Sequence, residues 1–174
     1  MKTVLLSLST LLAGAVVALP AVAQGPTDPQ IAAIVVAANQ VDIDAGRLAV
    51  SHAHDTQVKA FARQMITDHS AVNAAAVKLV TKLKVTPEAN ATSKQLTDGG
   101  VANRKNLETL KGAAFDKAYI DNEVAYHQAV IDAIDKTLVP SAQNAELKAL
   151  LVQSRPAFVA HLEHGKQIQA ALKK

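Results

Sequence analysis

Apolar residues recur at alternating intervals of three and four from Ile31 to Leu172, and no stretch sustains the every-second-residue alternation of a half-buried strand. That period commits the chain to an all-α fold. With three Phe, two Tyr and no Trp, the core has to be built from Ala, Val, Leu and Ile. The absence of cysteine excludes disulfides, thiolate metal sites and thiol catalysis.

Caps and prolines divide the pattern into four long helices. The first is expected to start at Asp28-Pro29, an N-cap candidate followed by proline in the first turn, and to reach about Ser51. The second is capped by Asp55 and runs to about Leu83, before Pro87. From Pro87 to Gly112 the chain turns polar and carries Gly99-Gly100, which suits a crossover connection with one or two short helices. The third helix is expected from about Ala113 to Leu138, ended by Pro140. The fourth starts near Ser141 or Asn144 and runs to the C-terminus, with a kink expected at Pro156. Four long helices with two short turns and one long connection predict a four-helix bundle with a single crossover.

The first 23 residues read differently. Lys2 precedes an apolar run from Val4 to Leu19, and Ala21-Val22-Ala23 supplies a small-residue cleavage site, so residues 1–23 are expected to be a signal peptide cut after Ala23. Residues 24–174 would then form one domain, periplasmic or secreted. No later run reaches the roughly 20 apolar residues of a membrane span. The formal charge of +3 comes without a basic block or interleaved aromatics, so nucleic acid is not an expected partner.

The seams that face a bundle core carry the functional signal. In the second helix the seam reads Val58, Ala62, Met65, His69, Val72, Ala76; in the third Ile120, Val124, His127, Ile131; in the fourth Leu151, Ser154, Phe158, His161, Gly165, Ile168. A seam of the first helix gives Val35, Ala38, Asp42, Ala45. Every helix thus places a potential ligand among core residues. One such histidine is commonly a hydrogen-bonded core group. Three, from three helices, each demand a partner to offset desolvation, and a shared metal ion satisfies them together.

Glu123 lies one turn before His127 and His164 one turn after His161, so either could add a ligand. Asp68 points about 100° away from His69, which suits support of a neighbouring helix or a solvated position. Glu123, Asp68 and His164 also fit a solvated polar face. Tyr119 and Tyr126 could donate hydrogen bonds into the site. His52 and His54 fall at the turn between the first two helices and read as surface residues. Heights counted from the shared turns, at 1.5 Å per residue, bring Asp42 and His69 to roughly 15 and 21 Å, but His127 and His161 to roughly 16 and 25 Å. The second pair does not match on spacing alone.

Three segments carry a family resemblance: "VKAFARQMITDHSAVN" (58–73), "LKGAAFDKAYIDNEVAYHQAVI" (110–131) and "RPAFVAHLEHGKQI" (155–168). The chain resembles the exported bacterial family DUF4142, a ferritin-like domain of unknown function. The resemblance implies a ferritin-like four-helix bundle and maps the family's characteristic positions onto Asp68, His69, Phe115, Asp116, Tyr119, His127, Pro156 and His161. It brings no activity. Relatives often carry glutamate in the first helix, where this chain has Asp42 and Asp44. Di-iron bundles use Glu-x-x-His pairs; no acidic residue here has histidine three places on, so a ferritin-type oxidase centre is not expected.

Two functions remain in view. One is an exported metal-binding bundle with His69, His127 and His161 as ligands and Asp42 or Glu123 as the carboxylate. That donor set suits zinc, copper, nickel or iron. The other is a metal-free envelope module that binds a protein partner or contributes to stress tolerance, its histidines being structural. Enzymatic activity has little support, since no nucleophile elbow, Ser/His/Asp order or phosphate loop occurs. Haem is not expected, because C-x-x-C-H is absent and aromatic residues are few.

Overall fold

Helix α1 spans Asp28–His52 and turns sharply into α2, Thr56–Leu83. A computed structural model of the chain describes residues 25–173, so the expected signal peptide lies outside the described residues. Asp55 caps α2 as its position foretold, its Oδ1 accepting from the Gln57 and Val58 amides. At the start of α1 the cap is Thr27 rather than Asp28. Asp28 turns outward instead, and its two oxygens accept from the amides of Gln143 and Asn144, which fastens the start of α1 to the last interhelical junction.

The crossover is a single helix of 18 residues, α3, Ala91–Glu108, longer than the short pieces expected. Asn90 caps it by accepting from the Ser93 amide at 3.0 Å. Gly100 permits its close approach to α1: a Cβ there would stand 2.8 Å from a Val41 methyl. α3 then returns the chain to the end where α1 meets α2. There Asp116 of α4 (Gly112–Ala133) accepts from the His54 and Asp55 amides and pins the junction.

α4 does not stop where the sequence suggested. It passes into a π-helical turn, Ile134–Leu138, and a short α5, Val139–Ser141, that contains Pro140. Proline removes one amide and crowds the carbonyl four residues back. The wider turn, in which the Val139 amide reaches Ile134 O, carries the helix through that interruption. α6, Ala145–Ala171, is capped by Asn144 and runs unbroken through Pro156.

The long helices close a ring in the order α1, α2, α6, α4, each antiparallel to its neighbours, with α3 packed outside α1. The described residues contain no strand, and none of their helices is long and apolar enough to cross a membrane. Two apolar clusters fill the ring. One, with Ile34, Ile131, Ile134, Leu138, Leu151 and Phe158, lies toward the π turn. The other, with Val58, Phe61, Met65, Phe115, Tyr119 and Ile120, lies toward the α1–α2 turn. A layer of buried polar side chains separates them.

Candidate metal centre

Each ring helix contributes to that layer: Asp42 from α1, His69 from α2, Glu123 and His127 from α4, His161 from α6, all at most 2% exposed. The three imidazoles face one another with ring centroids 5.3 to 5.5 Å apart. The mismatch in height between His127 and His161 disappears because α4 continues through the π turn to Ser141. Fourteen residues then follow His127 and sixteen precede His161 from Ala145, or about 21 and 24 Å.

Hydrogen bonds around the rings fix which nitrogen each turns inward. Asn39 donates its amide nitrogen to Val35 O, so its Oδ1 faces His69 Nδ1 at 2.8 Å and that nitrogen must donate. His127 Nδ1 donates to the Glu123 carbonyl at 2.9 Å. His161 Nε2 donates to Asp68 Oδ2 at 2.9 Å. The remaining nitrogens, His69 Nε2, His127 Nε2 and His161 Nδ1, are buried and without a hydrogen-bond partner among the described residues. Each neutral ring therefore presents a lone pair, and one ligand nitrogen from each ring fits within a span of 4.8 Å.

Two carboxyls close the other side. Asp42, Glu123 and His127 form a second buried group with ligand atoms within 4.8 Å of one another, and Asp42 Oδ2 stands 3.3 Å from His69 Nε2. With the His69 proton committed to Asn39, that contact sets a lone pair against a carboxyl oxygen. It is favourable only with a proton or a cation between them. Asp42 Oδ2, both Glu123 oxygens and the Tyr119 hydroxyl also lack hydrogen-bond partners. Leaving so many buried polar atoms unmatched is costly, and an ion at the centre would match several at once.

The electrostatics point the same way. Burial, reinforced by the neighbouring rings, lowers His69 to about 2, and burial lowers His127 to about 4. Burial also lowers His161, against the pull of Asp68. All three rings are neutral at physiological pH. Burial pushes Glu123 up to about 8, and burial together with the Glu123 charge raises Asp42 well above the carboxylate range. Without a cation the pair retains a proton.

The structure brings His69, His127, His161, Asp42 and Glu123 together. Glu123, which also fitted a solvated face, is 1% exposed. Asp68 supports a neighbouring helix through His161. His164 stays outside the cluster, with Nδ1 3.3 Å from Gln64 Oε1. Tyr126 donates to Ala38 O rather than into the site. His52 and His54 are exposed. Sequence reasoning missed Asn39, which orients His69; its signal was a polar residue three before Asp42 on a buried face.

The family model described as "Domain of unknown function (DUF4142)" matches residues 14–168. Among solved structures, the chain is similar to "CopM in the Cu(II)-bound form", with 17% identity and a TM-score of 0.67. That match covers 85% of this chain and 99% of the other. At that identity the likeness establishes the shared helical fold. No curated protein matches the sequence.

Proposed function

The chain belongs to the DUF4142 family, whose description carries no activity, and from the chemistry of its core we propose that it is an exported metal-binding bundle. His69, His127 and His161 supply three nitrogen ligands, and Asp42 or Glu123 supplies the carboxylate. The observation that carries this reading is the convergence of three buried, unpartnered ring nitrogens whose opposite nitrogens are each held by a hydrogen bond. Outer bonds of that kind orient metal-binding histidines and set their tautomers.

Imidazole and carboxylate without thiolate suit zinc, copper(II), nickel or iron. The solved structure of similar fold is that of CopM in a Cu(II)-bound form, which makes copper(II) the first ion to test. Two carboxylates balance the charge of one divalent ion in a core that offers no other compensation. Binding displaces the proton held by the Asp42–Glu123 pair, so affinity falls on acidification. Burial of every ligand suits a structural, storage or sensing role, and a signal peptide at residues 1–23 would send the protein to the periplasm or outside the cell.

The test is the metal content of the chain purified after export, without chelator or affinity tag, beside a variant carrying His69→Ala, His127→Ala and His161→Ala. Near-stoichiometric metal in the native protein, lost in the variant, supports the reading. No metal in either, with no rise in melting temperature on adding copper(II) or zinc, returns the histidines to a structural role and directs attention to protein partners.

A further inference from the structure

The three core histidines are braced unequally. His69 and His127 rest on Asn39 and on the Glu123 carbonyl, both inside the fold. His161 leans on Asp68, a carboxylate from α2 whose side chain is 39% exposed. One turn along the same pair of helices, Gln64 Oε1 faces half-buried His164 Nδ1. These two polar rungs cross the α2–α6 seam from the surface to the core layer.

A second approach exists on another side. A cavity of about 510 Å³ between α1, the start of α3, the π turn and α6 reaches Asn39 and Phe158, which touch His69. No charged side chain lines it, and the Asn39 and Tyr126 polar groups on its wall are already paired. A hydrated cation entering there would trade water for largely apolar walls and a few uncharged polar groups, Thr137 and Ser154 among them, at high cost. Across the α2–α6 seam the Asp68 carboxylate replaces that water first, and an ion that displaces the Asp68–His161 hydrogen bond frees the ring to turn its Nδ1 lone pair to it.

We propose that metal ions enter and leave the core across the α2–α6 seam, drawn in by Asp68 and passed to His161. The proposal rests on the metal-binding reading of the core. Asp68 then has two tasks: it orients His161 in the metal-free state and it is the anionic contact for an ion arriving from solvent. Asp68→Asn separates them, because the amide oxygen still accepts from His161 Nε2 while the charge is gone.

The chain holds two tyrosines and no tryptophan. Tyr126 meets His127 ring to edge at 6.2 Å, and Tyr119, one turn before Glu123 on α4, buries an unpartnered hydroxyl. Tyrosine emission therefore reports copper(II) arriving in the core, and stopped-flow quenching of the exported, metal-stripped protein measures uptake. Asp68→Asn is expected to slow uptake by about tenfold, to weaken its dependence on ionic strength and to slow release into a chelator. Thr137→Phe, at the apolar cavity, leaves both rates at native values. Native uptake with faster release in Asp68→Asn would reduce Asp68 to a brace for His161, and slowing by Thr137→Phe would move the route to the cavity; either overturns the proposal. Failure of the native protein to take up copper(II), zinc, nickel or iron at all overturns the core reading itself, and the route with it.

Discussion

The cluster around Phe61 and Met65 and the polar layer beside it are buried to the same degree, yet they are held by different physics. Phe61, Met65, Phe115 and Ile120 need nothing beyond exclusion of water and close packing. Asp42, His69, Glu123, His127 and His161 give up hydration for which the protein returns only part of the hydrogen bonding. The first region is self-sufficient. The second is conditional on protons or an ion, and conditions should move it while leaving its neighbour untouched.

The largest test of that contrast truncates the self-sufficient side. Phe61→Ala empties a fully buried site and should cost about 3–5 kcal/mol in urea unfolding, with the same loss whether or not copper(II) is present. A loss that copper(II) largely repairs would mean that the two regions are not separable.

Next in size is the pH response of the metal-free protein. His69 and His127 stay neutral in the fold down to about 2 and 4, while the unfolded rings take protons from about 6.5. Their contribution is therefore present above 6.5 and lost as pH falls. Glu123 keeps its proton up to about 8 while the unfolded carboxyl loses it near 4.3, so its contribution is lost as pH rises through that interval. Asp42, raised likewise, acts in the same direction. Each group changes stability by about 1.4 kcal/mol per pH unit within its window. Between about 4.3 and 6.5 the slopes of these two histidines and two carboxyls oppose and largely cancel, whereas above 6.5 only the carboxyl slopes remain. The metal-free fold should therefore lose stability from pH 6.5 to pH 8 and change less between pH 5 and 6.5, in urea melts at the three values. A flat profile would remove the polar layer's conditional character.

The smallest effect sharpens the contrast within the polar layer. Asn39→Ala removes the acceptor that holds the His69 tautomer and should weaken copper(II) binding by about ten- to a hundredfold, measured by competition with a chelator. An unchanged affinity would show that packing alone orients His69.

Much of this organisation was legible because helical period and ligand position are the same kind of information. A residue in register with buried neighbours is itself buried, which is how His69, His127, His161 and Asp42 could be placed before their contacts were known. Glu123 was harder, since spacing set it on the face of His127 without revealing that neighbouring helices would cover it. Asn39 is harder still: its place three residues before Asp42 marks it as buried, but nothing local pairs it with His69, 30 residues away. Gly99-Gly100 in a polar segment suggests short pieces of helix, although Gly100 serves a close contact with Val41 rather than a break. Pro140 suggests a terminus because proline ends most helices, and a π turn is an uncommon way past it.

That turn absorbs one residue without changing the phase of the helix on either side. A π turn holds one residue more than the α turn it replaces, and each residue of an α-helix advances the face by 100°. Deleting a single residue from Ile134–Leu138 would leave composition and hydrophobicity almost unchanged. The turn would tighten to the ordinary α count with its flanks still in phase, but Pro140 would then crowd the carbonyl four residues back, which the wider turn avoids. The extra residue is what lets the helix run on past Pro140 to Ser141, and that length is what levels His127 with His161 across the core.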